Sequence, residues 1–241
     1  MKTIVLRLKN KSVVLPINYN SMLQGVIYRL LSYDKEVGDE VHDEGYELDD
    51  KSYKLFIFSR LHGKGVYENK MITYTGNIDF EIRFVDDRAI DDIKASIAKS
   101  PYILLGKEIL PILEYKVIDN TIASSSVDIK MITPITLHKT DEDNKTVYIN
   151  YDDEEFSSMI FNNAINKYKA YYGDNIKDLS LSINPISVND RDKVITTFKG
   201  TYITGWQGYY HLEGSNELIN FLYYAGLGDR NSQGFGMFKI I

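Results

Sequence analysis

Along residues 3–9, TIVLRLK, the apolar residues Ile4, Leu6 and Leu8 alternate with Thr3, Val5, Arg7 and Lys9. A period of two predicts a strand with one core face and one face that ends in positive charge. The period then lengthens: Leu23, Val26, Ile27, Leu30 and Leu31 recur at helical spacing through NSMLQGVIYRLLS, which predicts an amphipathic helix. YKLFIFSRL and FEIRFV read as strands, and DDRAIDDIKASIAKS as a helix opened by acids and stopped by Pro101. EILPILEYKVI closes the half, giving the order strand, helix, strand, strand, helix, strand.

After the polar stretch Asp119 to Ser126 the same grammar starts again. VDIKMI and ITLHK are predicted strands, followed by TVYINY and a helix from Asp152 to Tyr172. LSLSINPI, KVITTFKGTYI and QGYYHL are three more strands, before the short helix SNELINFLYYAG and a last strand GMFKII. No letter-by-letter repeat is visible. The shared order nevertheless predicts an α+β fold of two tandem ferredoxin-like (RRM-like, βαββαβ) domains, residues 1–120 and 121–241, with a glycine-rich loop near the C-terminus.

Composition narrows the function classes. The chain has 241 residues, 44% hydrophobic and 26% charged, the profile of a soluble globular protein. No apolar run has the length of a membrane span, and MKTIVLRLKN carries charges where a signal peptide would be apolar, so a cytoplasmic protein with no membrane partner is expected. The absence of cysteine excludes disulfides, thiol nucleophiles and Cys-type metal sites. The acids Asp152 to Glu155 resemble a metal cluster, but at a helix start they complement the dipole, and neither metal nor cofactor is expected. The net charge of −6 argues against nonspecific coating of nucleic acid while leaving room for a local basic groove.

The sequence ends GLGDRNSQGFGMFKII, with Gly226, Gly228, Gly234 and Gly236 in the space of eleven residues. It is not a dinucleotide fingerprint, because Asn231 stands at the third glycine position and a helix precedes the loop. A Walker loop is excluded too, since no Lys-Ser/Thr follows. A helix C-cap and connector would need only Gly226. Between the glycine pairs, Arg230, Asn231, Ser232 and Gln233 are hydrogen-bond donors suited to phosphate or base edges, so the loop is expected to bind RNA.

GLGDRNSQGFGMF resembles the C-terminal loop of the RAMP superfamily. With LPINYNSMLQGVIYRLL, VHDEGY and YKLFIFSRL in the same order, the whole chain resembles the CRISPR-associated endoribonucleases that cut precursor CRISPR RNA, the Cas-six family. That resemblance implies metal-free cleavage within CRISPR repeats, leaving a 2′,3′-cyclic phosphate and a 5′-hydroxyl. It also implies a catalytic tyrosine, histidine and lysine, which match Tyr28, His42 and Lys54. The residues read independently agree in part. Tyr28 falls off the centre of the first helix's apolar stripe, on the side of Gln24. His42 sits in an acidic segment where a lone histidine is usually just solvated, although an imidazole suits proton transfer near neutrality. Lys54 opens an apolar strand that would fix its ammonium, with Lys51 the rival. His62 lies between Arg60 and Lys64 and is a candidate RNA contact, while His138 and His211 read as structural strand residues without partners. Tyr209, Tyr210, Tyr223 and Tyr224 are placed near the loop as candidates to stack on bases.

The implied partner is CRISPR repeat RNA. Other Cas proteins of an effector complex stay open as partners, as do a monomer and a homodimer. The competing function is a non-catalytic RAMP-type RNA-binding subunit, which would keep the fold and loop but cut nothing. A small-molecule ferredoxin-like enzyme or sensor explains neither the loop nor His42.

Overall fold

The computed structural model describes residues 1–33, 45–174 and 178–241. His42 lies outside the described residues.

In the first half, β1 (Lys2–Leu8) and β2 (Ser12–Pro16) lead into α1 (Asn20–Leu30). A small hairpin, β3 (Tyr46–Leu48) and β4 (Lys51–Tyr53), precedes β5 (Phe56–Phe58), β6 (His62–Glu68) and the long β7 (Met71–Phe84). The half is completed by α2 (Arg88–Lys99), β8 (Tyr102–Leu105) and β9 (Glu108–Ile118). β7 is the spine of an antiparallel sheet. β1 and β2 pair along one of its edges, β5 and β6 along the other, and β9 lies on the far side of β1 with β8 beyond it. Counting β5 and β6 as one interrupted strand gives the ferredoxin-like order.

The second half repeats the plan with two hairpins inserted. Its sheet runs β13 (Leu181–Ser187), β16 (Tyr209–Gly214), β10 (Ser126–Met131), β17 (Phe238–Ile240), and its helices are α3 (Phe156–Tyr172) and α4 (Asn216–Ala225). The insertions are β11 (His138–Thr140) with β12 (Thr146–Tyr148), and β14 (Lys193–Phe198) with β15 (Thr201–Trp206). The second insertion corrects the reading of KVITTFKGTYI as one strand. Lys199 and Gly200 both take positive φ, 48° and 86°, the signature of a tight hairpin turn. α3 likewise starts at Phe156 rather than Asp152, so the acids before it do not sit in its first turn. Asp153 instead accepts the Asn150 N–H at 2.7 Å, and Glu155 pairs with Lys139.

Each sheet buries one face under its helices. Ile4, Leu6 and Leu8 meet Leu23, Ile27, Ile90 and Ile93 in one core, and Ile129, Ile183 and Leu212 meet Ile160, Leu218 and Leu222 in the other. The two halves are joined through the other face of β7. Arg83, 2% exposed, donates to the carbonyls of Tyr223 (3.1 Å) and Phe238 (2.8 Å), pairs with Glu81 at 2.7 Å, and lies 3.7 Å from the centre of the Tyr223 ring. A guanidinium in so dry a place is tolerable only because its donors are satisfied. It therefore works as a fixed strut between the halves. None of the described helices is long and apolar enough to cross a membrane.

Candidate functional site

α1 presents Asn20, Gln24 and Tyr28 four residues apart, so the three share one face. The first two hold the glycine loop: Asn20 Nδ2 donates to Gln233 O at 3.1 Å and Gln24 Nε2 to Ser232 O at 2.7 Å. One turn further on, Tyr28 stands edge-on to Phe56, 5.9 Å between centroids. That contact leaves it half-buried on the wall of a cleft of about 790 Å³ between the halves.

The cleft brings together Tyr28, Lys54 and loop residues 228–233. Lys54 sits between β4 and β5, where Leu55 turns into the second core and Phe56 into the first. Lys51, at the start of β4, is exposed and does not line the cleft. The other walls carry His138 from β11, Asn163 and Lys167 from α3, and Lys199 from the β14–β15 turn. Among the described residues lining it, the cations Lys54, Lys199 and Arg230 face a single carboxylate, Asp229. A chain with net charge −6 thus builds one locally cationic cleft.

The loop itself is braced from inside. Lys167, 3% exposed, donates from Nζ to Gly226 O (2.7 Å), Gly228 O (3.0 Å) and Asn231 Oδ1 (2.9 Å). Burial pushes its ammonium down to about 7, against the opposing pull of Asp229. Asn231 returns two bonds from Nδ2, to Leu227 O (3.0 Å) and Phe235 O (2.9 Å), and is itself buried. Its side chain is therefore committed to the loop's interior, while Arg230, Ser232 and Gln233 are partly exposed at the cleft.

The same packing accounts for the glycines. A Cβ on Gly236 would lie 1.9 Å from Leu227 O, and one on Gly228 would lie 2.5 Å from Thr136 O. Cβ atoms on Gly226 and Gly234 would collide with Ile57 and Phe58. All four residues also take positive φ. The glycine density follows from the way the loop packs on its own protein.

Residues 114–240, more than half of the chain, match the family described as CRISPR associated protein Cas6, C-terminal. The chain belongs to the Cas6 family. It is 25% identical to the CRISPR-associated endoribonuclease Cas6 of Pyrococcus furiosus, over 96% of this chain and 86% of that protein. It superposes on the solved structure of a Cas6-related protein from P. furiosus with a TM-score of 0.84 at 23% identity, covering 100% of this chain and 98% of the other. A RAMP protein that binds different RNA substrates superposes at 0.82 with 21% identity, with full coverage of both chains.

Within this Cas6-family fold the described histidines differ from their sequence reading. His138 and His211 both have carboxylate partners: His138 Nδ1 lies 2.7 Å from Asp229 Oδ2, and His211 Nδ1 lies 2.6 Å from Asp128 Oδ1. The His211 ring also reaches Ser126 Oγ at 3.2 Å, which completes a Ser-His-Asp chain across β10 and β16. It lies at the surface and does not line the cleft. His62 is exposed on β6 opposite Asp79. Of the four tyrosines expected near bases, Tyr210 and Tyr224 are core residues, Tyr223 packs on Arg83 and Phe238, and Tyr209 lies beneath the Lys130 ammonium. Lys167 and Asp229 escaped the sequence reading, yet Lys167 falls on α3's buried stripe with Ile160, Ala164 and Tyr168. A lysine at such a position is a signal in itself, because it needs partners to be there. No group of three or more metal-ligating side chains occurs among the described residues.

Proposed function

We propose that this chain is an endoribonuclease that cuts precursor CRISPR RNA within its repeats, with the two halves acting as domains 1–120 and 121–241 on either side of the cleft. The observation that carries the reading is the cationic cleft of a Cas6-family chain that is acidic overall, with Tyr28 and Lys54 on one wall and Arg230 on the other. Phosphodiester RNA is the substrate such a charge inversion suits, because lysine and arginine neutralise phosphates where the rest of the surface would repel them.

The reaction proposed needs no group beyond the protein and the RNA. The 2′-oxygen next to the scissile phosphate attacks phosphorus, its proton passes to a base, and the P–O5′ bond breaks as an acid protonates the 5′-oxygen. The products are a 2′,3′-cyclic phosphate and a 5′-hydroxyl. His42 and Tyr28 are assigned the proton transfers, and Lys54 the charge that builds on the phosphorane oxygens. Loop residues Arg230, Ser232 and Gln233 hold the RNA backbone, and Gly226, Gly228, Gly234, Gly236 and Asn231 give the loop the shape that presents them.

Single-turnover cleavage of the repeat encoded beside the gene tests this. His42→Ala should slow the cut by roughly 10²–10⁴-fold, the range for a positioned proton-transfer group. Lys54→Ala should slow it at least tenfold, against no more than about twofold for Lys51→Ala. Rates within about threefold of wild type for both His42→Ala and Lys54→Ala would refute the assignment. Binding without any cut by the wild type would favour the non-catalytic RNA-binding subunit.

A further inference from the structure

We propose that His138 is an RNA-contacting residue of the same cleft and that Asp229 is its positioning residue; the inference rests on the reading of the cleft as an RNA site. The Asp229 carboxylate is pinned from several directions. Its Oδ2 accepts the backbone N–H of His138 at 3.1 Å, its Oδ1 accepts Asn163 Nδ2 at 2.9 Å, and its own N–H donates to Thr136 O at 2.8 Å. The His138 ring is set against this fixed anion with Nδ1 at 2.7 Å, and against Tyr148 with 6.0 Å between ring centroids.

Nδ1 is buried against this carboxylate outside hydrogen-bond geometry, so Asp229 positions His138 through the backbone N–H and through its charge, and Nε2 is the nitrogen left for a ligand. Nε2 has no partner among the described residues, and the side chain is 32% exposed on the cleft wall. His211 is the internal contrast. Its two nitrogens are both used, by Asp128 and Ser126, and it lies outside the cleft. His62 is exposed on a hairpin away from it. Of the three described histidines, only His138 combines a fixed ring, an unused nitrogen and a place beside Lys167 and Arg230.

The ligand this arrangement suits is the sugar–phosphate backbone. A neutral Nε2 accepts a hydrogen bond from a ribose 2′-hydroxyl, and a protonated one donates to a phosphate oxygen. Both contacts are independent of base sequence. The two domains would then each hold the strand with their own side chains, with Tyr28 and Lys54 on one side and His138 and Arg230 on the other.

The test is the affinity of the full chain for a repeat RNA made uncleavable by a single 2′-deoxy nucleotide at the cut site. His138→Phe keeps the ring packing on Tyr148 and removes the nitrogens. It should weaken binding roughly tenfold, the loss of one good hydrogen bond, with the melting temperature unchanged. A loss seen also with an all-DNA strand assigns the contact to phosphate; one confined to RNA assigns it to the 2′-hydroxyl. Should His138→Phe lower the melting temperature, Asp229→Asn takes its place. That variant keeps an acceptor for the His138 N–H but removes the negative charge beside Nδ1, and it should weaken binding in the same direction. Affinity within about twofold of wild type for a stably folded variant overturns the proposal. Failure of the wild type itself to bind the RNA overturns the reading of the cleft instead.

Discussion

Gly236→Ala adds one methyl group at a position where the backbone has no room for it. The new Cβ would stand 1.9 Å from Leu227 O and 2.8 Å from Asn231 Nδ2. The carbonyl cannot swing aside as a side chain would, since it already accepts from Asn231 Nδ2 at 3.0 Å. Leu227 and Gly236 are tied together as well, with Leu227 N donating to Gly236 O at 3.0 Å and Gly236 N to Pro134 O at 2.8 Å. Relief therefore has to break some of these bonds. Left-handed φ costs an L-residue about 1–2 kcal/mol, and each lost hydrogen bond about 1 kcal/mol, so the total is roughly 3–5 kcal/mol. In a chain of this size each kcal/mol shifts the melting temperature by about 2–4 °C. Thermal melting without RNA should then fall by at least about 6 °C. Gly25→Ala is the control: it lies within α1 with nothing within 4 Å of its Cβ position, and should gain about 0.5–1 kcal/mol. A Gly236→Ala variant that melts within about 2 °C of wild type would refute the packing account and leave ligand approach as the reason for the glycine.

Lys167→Met should destabilise the chain by about 2–3 kcal/mol by leaving three acceptors in the loop unsatisfied. Because the folded pKa lies near 7 and that of an exposed lysine near 10.4, the unfolded chain binds more protons across that window. Wild-type stability should therefore rise relative to Lys167→Met as urea unfolding is repeated from about pH 7 to 9, and a constant or falling difference would contradict the shift. Arg83→Leu should cost about 3 kcal/mol in the same assay, since it strands Glu81 and two carbonyls between the halves. A loss under about 1 kcal/mol would mean that the strut contributes little.

The parts of the fold visible in the sequence are those with one wet and one dry face. Ile4, Leu6 and Leu8 in β1, and Leu23 to Leu31 in α1, keep clean periods because each element buries a single side. The β14–β15 hairpin was hidden because its turn is made by Lys199 at positive φ before a single glycine, and a lysine gives no such hint. Much of β7 was hidden for another reason: in its first half Met71, Thr75, Gly76 and Asn77 are exposed and Tyr74 alone is buried, so no alternation of apolar and polar residues marks the strand. For the candidate site, Tyr28 could be placed from its angle on α1 relative to Gln24. The His138–Asp229 pair could not, because its members are 91 residues apart and meet only when the loop folds back on β11. Asn231 was misleading in another way: its amide looks like a ligand donor in the sequence, whereas in the fold it closes the loop on Lys167.

The central claim is that the RNA supplies its own nucleophile in a cleft built by both halves. The direct measurement is cleavage of the repeat in excess EDTA, in parallel with the same RNA carrying one 2′-deoxy nucleotide 5′ of the scissile phosphate. The expected result is an undiminished cut in EDTA, an upstream fragment ending in a 2′,3′-cyclic phosphate, and no cut of the deoxy RNA, which still binds to within about tenfold because one hydrogen bond is lost among many. Cleavage that requires Mg²⁺, or that survives the deoxy substitution, would contradict it.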